Sequence, residues 1–185
     1  MSGLFVAIVG PSGSGKDSLI RALGARFRDD PDFLIVRRVV TRPSDAYEDH
    51  DTLDLDAFLT AEAAGRYALS WGAHGLHYGV PVEIDDALAS GKTVVGNLSR
   101  KAVETARRRW QSVFAVLITA RPETLAARLA ARGREAEDAR LGRLARATEI
   151  DFTADAVLAN DGALEDAAER LAELVREQIQ IKVGA

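Results

Sequence analysis

The feature that most constrains this chain is a turn. Leu4 to Val9 is an unbroken apolar run, the signature of a buried strand, and it leads into Gly10-Pro11-Ser12-Gly13-Ser14-Gly15-Lys16. From Lys16 to Phe27 the apolar residues fall at Leu19, Ile20, Leu23 and Phe27, a helical spacing. A strand, then a glycine-rich turn closed by lysine, then a helix is the arrangement of a P-loop. Glycines let the backbone turn sharply and bring successive N–H groups onto phosphate oxygens. The helix beginning near Gly15 adds the positive end of its dipole. Lys16 supplies a point charge for β- and γ-phosphates. The nucleotide-binding candidates are therefore Gly10, Pro11, Ser12, Gly13, Ser14, Gly15, Lys16, Asp17 and Ser18, with Lys16 also a catalytic candidate.

One position departs from the pattern. A Ser or Thr should follow the lysine as a magnesium ligand, but Asp17 stands there and Ser18 comes next. Asp17 could hold the ion through a carboxylate oxygen, directly or through water. Ser18 could do so from a shifted backbone. Alternatively, Asp17 only complements the helix dipole. Asp17 and Ser18 are thus the metal candidates. The strand Thr93-Val94-Val95-Gly96 ends at Asn97, where a P-loop enzyme commonly carries an aspartate.

The rest of the chain alternates strands with helices. Strands are expected at Phe33 to Val40, Thr93 to Val95, Val113 to Ile118 and Ala156 to Ala159. Helices are expected from Ser99 as cap to Trp110, from Pro122 to Arg132, and from Leu164 to about Ile179. With the first strand this gives five short strands, hence an α/β fold with a five-stranded parallel sheet and helices on both faces. Residues 41–81 break that rhythm with a polar acidic stretch, a short helix near Asp56 to Ala64, a strand-like piece from Arg66 to Trp71, and a glycine-rich turn from Gly72 to Gly79. They read as a subdomain inserted into one domain that spans residues 1–185.

Of the 24 basic residues, 20 are arginine, the side chain suited to forked grips on phosphate. Arg128 and Arg132 lie four apart on one helical face, Gly133 permits a break, and Arg134 follows. Arg140 and Arg143 fall on the next helix. A loop of this kind over residues 132–140 can close as a lid and neutralise a transferring phosphoryl group, which makes Arg132 and Arg134 catalytic candidates. The same arginines could instead lie on a solvated face paired with Glu135, Glu137 and Asp138. Arg42, in Thr41-Arg42-Pro43 at the end of the second strand, sits where an open parallel sheet binds ligands. Arg37 and Arg38 read as edge or framework residues within that strand. Glu48 to Asp51 reads as a polar loop or a set of sugar-hydroxyl partners, and His74 or His77 as a buried, hydrogen-bonded histidine.

Exclusions follow from composition. There is no cysteine, so disulfides, zinc–thiolate sites and thiol nucleophiles are absent, and a reducing compartment, the cytoplasm, is the expected setting. A formal charge of −4 argues against bulk nucleic-acid binding. No stretch of about twenty apolar residues provides a membrane span. A homodimer is compatible with the sequence.

The P-loop, Thr41-Arg42-Pro43, Tyr78-Gly79 and the arginine-rich lid together resemble the guanylate kinase branch of the nucleoside monophosphate kinases. A narrower set resembles the ribose 1,5-bisphosphate phosphokinases of phosphonate degradation. It comprises Gly10 to Leu19 with its Lys16-Asp17-Ser18, Ala68-Leu69-Ser70-Trp71, Gly75 to Gly79, Asn97-Leu98-Ser99-Arg100, Arg132 to Glu135 and Asn160-Asp161-Gly162. The resemblance covers nearly the whole chain. It implies a kinase of the P-loop nucleoside-monophosphate-kinase-like fold that uses ATP and Mg²⁺ to make 5-phosphoribosyl 1-diphosphate (PRPP). It also implies that Arg42, Tyr78, Arg100 and Arg143 bind the acceptor, and that Arg128 and Asn160 lie near the nucleotide, Asn160 beside adenine. The glycine before rather than after Asn97 departs from the pattern. The second arginine and the Tyr-x-Phe with which guanylate kinases frame guanine have no counterpart in Ser44 to Asp54, so a base pocket would lack its walls and donors. Two rivals follow: a guanylate or other nucleoside monophosphate kinase, and a guanylate-kinase-like interaction module without catalysis. The intact loop and lysine weigh against the second.

Overall fold

The computed structural model describes residues 3–44, 49–73, 75–131 and 152–184. Two sheets organise them. The first has five parallel strands in the order β2 (Phe33–Ile35), β7 (Thr93–Asn97), β1 (Leu4–Val9), β8 (Val113–Thr119) and β9 (Ala156–Ala159). The second has four strands in the order β4 (His50–Thr52), β3 (Arg38–Val40), β6 (Leu76–Pro81) and β5 (Tyr67–Ala73). In it, β3 runs parallel to β4 and antiparallel to β6, and β5 pairs antiparallel with β6.

The central position of β1 explains its unbroken apolar sequence. Every residue from Leu4 to Val9 is buried, and alternate residues serve different cores. Leu4, Val6 and Ile8 pack with Leu19 and Leu23 of α1 (Lys16–Arg26) and with Leu171 and Val175 of α6 (Leu164–Val183). Phe5, Ala7 and Val9 pack with Ile84 and Leu88 of α3 (Ile84–Ala89) and with Val103 of α4 (Arg100–Arg109). Burying each large side chain contributes about 1.5–3 kcal/mol. The strand carrying the glycine-rich turn is therefore held on both faces.

Helix starts follow local chemistry. The Ser99 hydroxyl accepts from the Ala102 N–H at 3.1 Å to cap α4, and Asp54 Oδ1 accepts from the Ala57 N–H at 2.8 Å to cap α2 (Leu55–Ala63). At α5 (Pro122–Ala131) the cap comes from another loop: Asp161 Oδ1 accepts from the Arg121 N–H and the Thr124 hydroxyl, both at 2.8 Å. These bonds, the Arg121 N–H first, hold the Asp161 carboxyl below its ordinary pKa.

Three sequence expectations are corrected. Phe33 to Val40 is two strands: β2 pairs with β7 in the first sheet, and after Val36 and Arg37 the chain enters the second sheet as β3. The residues between are compatible with strand, so an apolar, β-branched run hides the change of sheet. Gly72 to Gly79 is a hairpin rather than an open turn. Gly72 pairs with His77 and Ala73 with Leu76, and Gly75 takes a positive φ of 75° between the strands. Likewise His50 and Asp51 belong to β4, although their polarity reads as loop. His50 is buried, with Nδ1 3.1 Å from the Asp51 carbonyl oxygen. His77 is half-buried against the Phe58 ring, and His74 lies outside the described residues.

Asp85 ties α3 to the end of α4. It accepts from Trp110 Nε1 at 2.8 Å and pairs with both the Nε and the Nη2 of Arg109, while the Trp110 ring stacks on Phe5 at 4.5 Å. Burial pushes the Asp85 carboxyl up, but the hydrogen bonds from Arg109 and Trp110 outweigh it, so the net shift is downward. Asp85→Ala is expected to destabilise the fold by about 1–3 kcal/mol in denaturant titrations at neutral pH. Because the folded carboxyl is depressed, its contribution is fully present above the ordinary value of about 3.9 and fades as pH falls through the lower folded value. The gap between variant and wild type should therefore close in acid.

Candidate active site

The loop between β1 and α1 has the backbone its glycines require. Gly15 caps α1 in the left-handed region, at φ 87°, and no side chain caps the first turn of that helix. A Cβ on Gly15 would meet Asn160 Nδ2 at 2.4 Å. The Lys16 Nζ reaches back over the turn to the Pro11 carbonyl at 2.8 Å, the Ser14 N–H donates to the same oxygen at 3.3 Å, and Ser12 is exposed at the crest. Ser14 is wholly buried, and its hydroxyl has no partner among the described residues. An uncapped first turn and an unpartnered buried hydroxyl both call for an anion here.

Three elements support the loop. Asn160, at the end of β9, donates from Nδ2 to the Ser14 carbonyl at 2.8 Å and is itself buried. Arg128 of α5 donates to the Asn160 carbonyl at 2.9 Å. Leu129 of α5 sits against Gly13, so close that a Cβ there would meet it at 3.2 Å. Asn160, which the resemblance implies lies near the nucleotide, is at the loop itself. The structure turns its side-chain amide onto the loop's main chain, a link across 146 residues that no local pattern reveals.

The other flank faces the second sheet. Asp17, in the first turn of α1, accepts from Asn97 Nδ2 at 3.0 Å, and its Oδ1 lies 3.9 Å from Arg38 Nη2. Asp17 and Ser18 are half-buried. Asp17, Arg38 and Asn97 line a cavity of about 330 Å³ between α1, the end of β2 and the start of β3. Tyr78 of β6 stacks on Trp71 of β5, with ring centroids 5.4 Å apart and planes at 7°, and the Arg38 guanidinium lies 5.7 Å from the Tyr78 centroid. Thr41 fixes this corner: its hydroxyl accepts from the His77 N–H at 2.8 Å, and its own N–H donates to the His77 carbonyl at 3.1 Å. Arg42 follows, half-buried, with its carbonyl accepting from the Thr52 hydroxyl at 3.1 Å. Arg100 is exposed at the first position of α4, just beyond the end of β7.

The candidates thus fall into three groups. Gly10 to Ser18, Arg128 and Asn160 gather at the loop; Tyr78 on β6, Arg42 just past β3 and Arg100 at the start of α4 lie beyond it. Arg132, Arg134, Arg143 and the whole 132–140 segment lie outside the described residues. Nothing local in the sequence reveals Arg38 as a wall of this cavity, the stacking of Trp71 on Tyr78 or the pairing of Asn97 with Asp17. Arg38 was taken for framework within one strand, and only the change of sheet after Arg37 aims it at α1.

Residues 6–151 match the AAA domain family. The chain is 48% identical over 171 residues to the ribose 1,5-bisphosphate phosphokinase PhnN of Methylobacterium radiotolerans, covering 92% of this chain and 96% of that one. It is 43% identical over 179 residues to the protein of the same name from a Chelativorans species, covering 95% and 86%. In architecture it is similar to the crystal structure of guanylate kinase from Anaplasma phagocytophilum, with a TM-score of 0.70 at 20% identity over 96% of this chain and 86% of that one. At that identity the likeness speaks for the fold, while the relatives that match nearly end to end speak for the family. This chain belongs to the ribose 1,5-bisphosphate phosphokinase family, within the wider AAA-domain group of P-loop proteins.

Proposed function

We propose that this protein transfers the γ-phosphate of ATP to the 1-phosphate of ribose 1,5-bisphosphate, giving PRPP and ADP. The observation that carries the reading is the near end-to-end identity to phosphokinases of that name. The intact loop and Lys16 support it.

Catalysis here needs no general base. The attacking oxygen belongs to a phosphate that is already anionic near neutral pH. It forms the new P–O bond as the bond between the γ-phosphorus and the β–γ bridging oxygen breaks, and ADP leaves. The chain's task is positioning and charge neutralisation. The amides from Gly13 to Lys16 cradle the phosphates, Lys16 and the lid arginines Arg132 and Arg134 take up the developing charge, and Arg128 and Asn160 keep the loop in shape. Arg42, Tyr78, Arg100 and Arg143 hold the acceptor, with residues 41–81 as the acceptor-binding part of a single domain.

A magnesium ion suits the oxygens available. Asp17 keeps one carboxylate oxygen beyond the Asn97 bond, Ser18 adds a hydroxyl, and Asn97, donating through its nitrogen, leaves its carbonyl oxygen for an ion or its water. No group of three or more His, Cys, Asp or Glu among the described residues forms a metal cage, which matches an ion held largely by phosphate oxygens and water. When bound, such an ion withdraws charge from the β- and γ-phosphates. No helix among the described residues is long and apolar enough to cross a membrane, and we assign the enzyme to the cytoplasm.

The experiment is ADP release with purified protein, ATP and Mg²⁺, comparing ribose 1,5-bisphosphate with GMP. The pentose should be turned over at least ten times more efficiently. A preference for GMP would replace this reading with a guanylate kinase.

A further inference from the structure

Arg38 is where the two sheets meet. It opens β3, its side chain is only 12% exposed, and it forms one wall of the 330 Å³ cavity whose opposite wall runs along α1 to Gly24 from its first turn, at Asp17. That turn belongs to the loop that holds the donor phosphates. Arg38 stands between the two sides. It lies against Asp17 on the donor side and over the Tyr78 ring on the acceptor side.

Its approach to Asp17 is that of an ion pair rather than a hydrogen bond. At 3.9 Å the two are beyond donor–acceptor range, while the same carboxylate oxygen is bonded to Asn97 at 3.0 Å. Asp17 is thus fixed by its neighbour and acts on the guanidinium by charge. Next to Arg38 in the chain is Arg37. It is exposed and bound to Asp49 and Asp51 at 2.9 and 2.7 Å, which ties β4 to the link between the sheets.

We infer that Arg38 binds the reacting phosphate of the acceptor, and that Asp17, braced by Asn97, is a positioning residue that aims it. This deepens the proposed function and rests on its acceptor assignment. The guanidinium presents parallel N–H donors to phosphate oxygens. It offsets the repulsion between the incoming phosphate and the triphosphate tail, the main obstacle when one anion attacks another. It also gives the Lys-Asp pair a purpose: an aspartate after the P-loop lysine reaches the acceptor sheet as an ion-pair partner, which a serine or threonine cannot do. The cavity is of a size for a small ligand, and its charged lining suits a phosphorylated sugar better than a flat base.

The test is steady-state kinetics on Arg38→Ala, Arg38→Lys, Asp17→Asn and the Asp17→Asn/Arg38→Ala double variant. The acceptor and ATP are varied separately, and calorimetric ADP binding and thermal melts establish an intact fold. Arg38→Ala should raise the acceptor KM about 30-fold or more, the scale for truncating one partner of a desolvated charge pair, and should leave ATP KM within about twofold. Arg38→Lys should recover part of the loss. Asp17→Asn should raise acceptor KM in wild-type background and add little to Arg38→Ala, because Asp17 acts through Arg38. A Mg²⁺ titration at saturating acceptor separates Asp17's two roles. A raised Mg²⁺ requirement with acceptor KM unchanged would overturn the positioning role, and an Arg38→Ala enzyme with normal acceptor KM would overturn the inference. The kinetics are run with whichever acceptor the wild type turns over fastest. Should that be GMP, the substrate reading falls while the Arg38 effect on GMP KM still decides this inference.

Discussion

Lys16→Ala is expected to lower kcat by about 10³-fold or more while leaving the thermal melt nearly unchanged. The size follows from the role. A preorganised donor aimed at charge that develops in the transition state is worth roughly 10²–10³ by itself, and Lys16 adds a full positive charge on the transferring group. The fold should tolerate the change, because the side-chain hydrogen bond from Lys16 to the Pro11 carbonyl lies on a half-buried loop and is worth about 1 kcal/mol. Single-turnover kinetics alongside a melt separate the two effects. A variant with near-native turnover would mean that the triphosphate does not lie on this loop.

The second large effect is on folding. Gly10→Ala places a Cβ 2.3 Å from the Ile118 carbonyl oxygen, at a φ of 155°. The carbonyl belongs to β8, which pairs with β1 along its length, from Phe5↔Val113 to Val9↔Leu117. Neither backbone can move without breaking that register, so the clash cannot be relieved by a rotamer. Backbone strain of this kind and overpacking each cost about 1–3 kcal/mol. Together they should lower the melting temperature by about 4–24 °C in a chain of this size. Loop geometry would suffer with it, so ADP affinity measured by calorimetry well below the melt should fall as well. Ser12→Ala, at the exposed crest of the same turn, should leave the melting temperature unchanged and shows that the effect belongs to Gly10.

The five-stranded sheet and the loop were legible because each rests on local chemistry. The apolar run of β1 announces a strand buried on both faces, and the loop is a spacing of glycines that serves one purpose. The second sheet was not, for three separate reasons. Phe33 to Val40 changes sheet without a glycine or a proline. The three residues of β4 are His, Asp and Thr, held in the ladder by β3 and the Arg37 ion pairs rather than by their own propensity. Gly79, which suggests a turn, instead leaves room on a strand: a Cβ there would meet the Tyr67 ring at 2.7 Å.

The site divides in the same way. Lys16 and its glycines were found from spacing alone. The Asn97–Asp17 bond joins residues 80 apart and the Asn160–Ser14 bond residues 146 apart, so both depend on how β7 and β9 flank the sheet's centre. Asp17 stood out as a departure from the P-loop pattern, but its partners could only come from the folded chain. Arg38 was passed over because one strand would have pointed it nowhere in particular.

The most direct measurement is ³¹P NMR of the purified protein with ATP, Mg²⁺ and ribose 1,5-bisphosphate. The account predicts a new pair of coupled diphosphate resonances on the sugar's first carbon, growing in step with ADP, and no growth of either with Lys16→Ala. Hydrolysis to inorganic phosphate alone, or a sugar that keeps both of its original phosphate resonances while ADP accumulates, would contradict it.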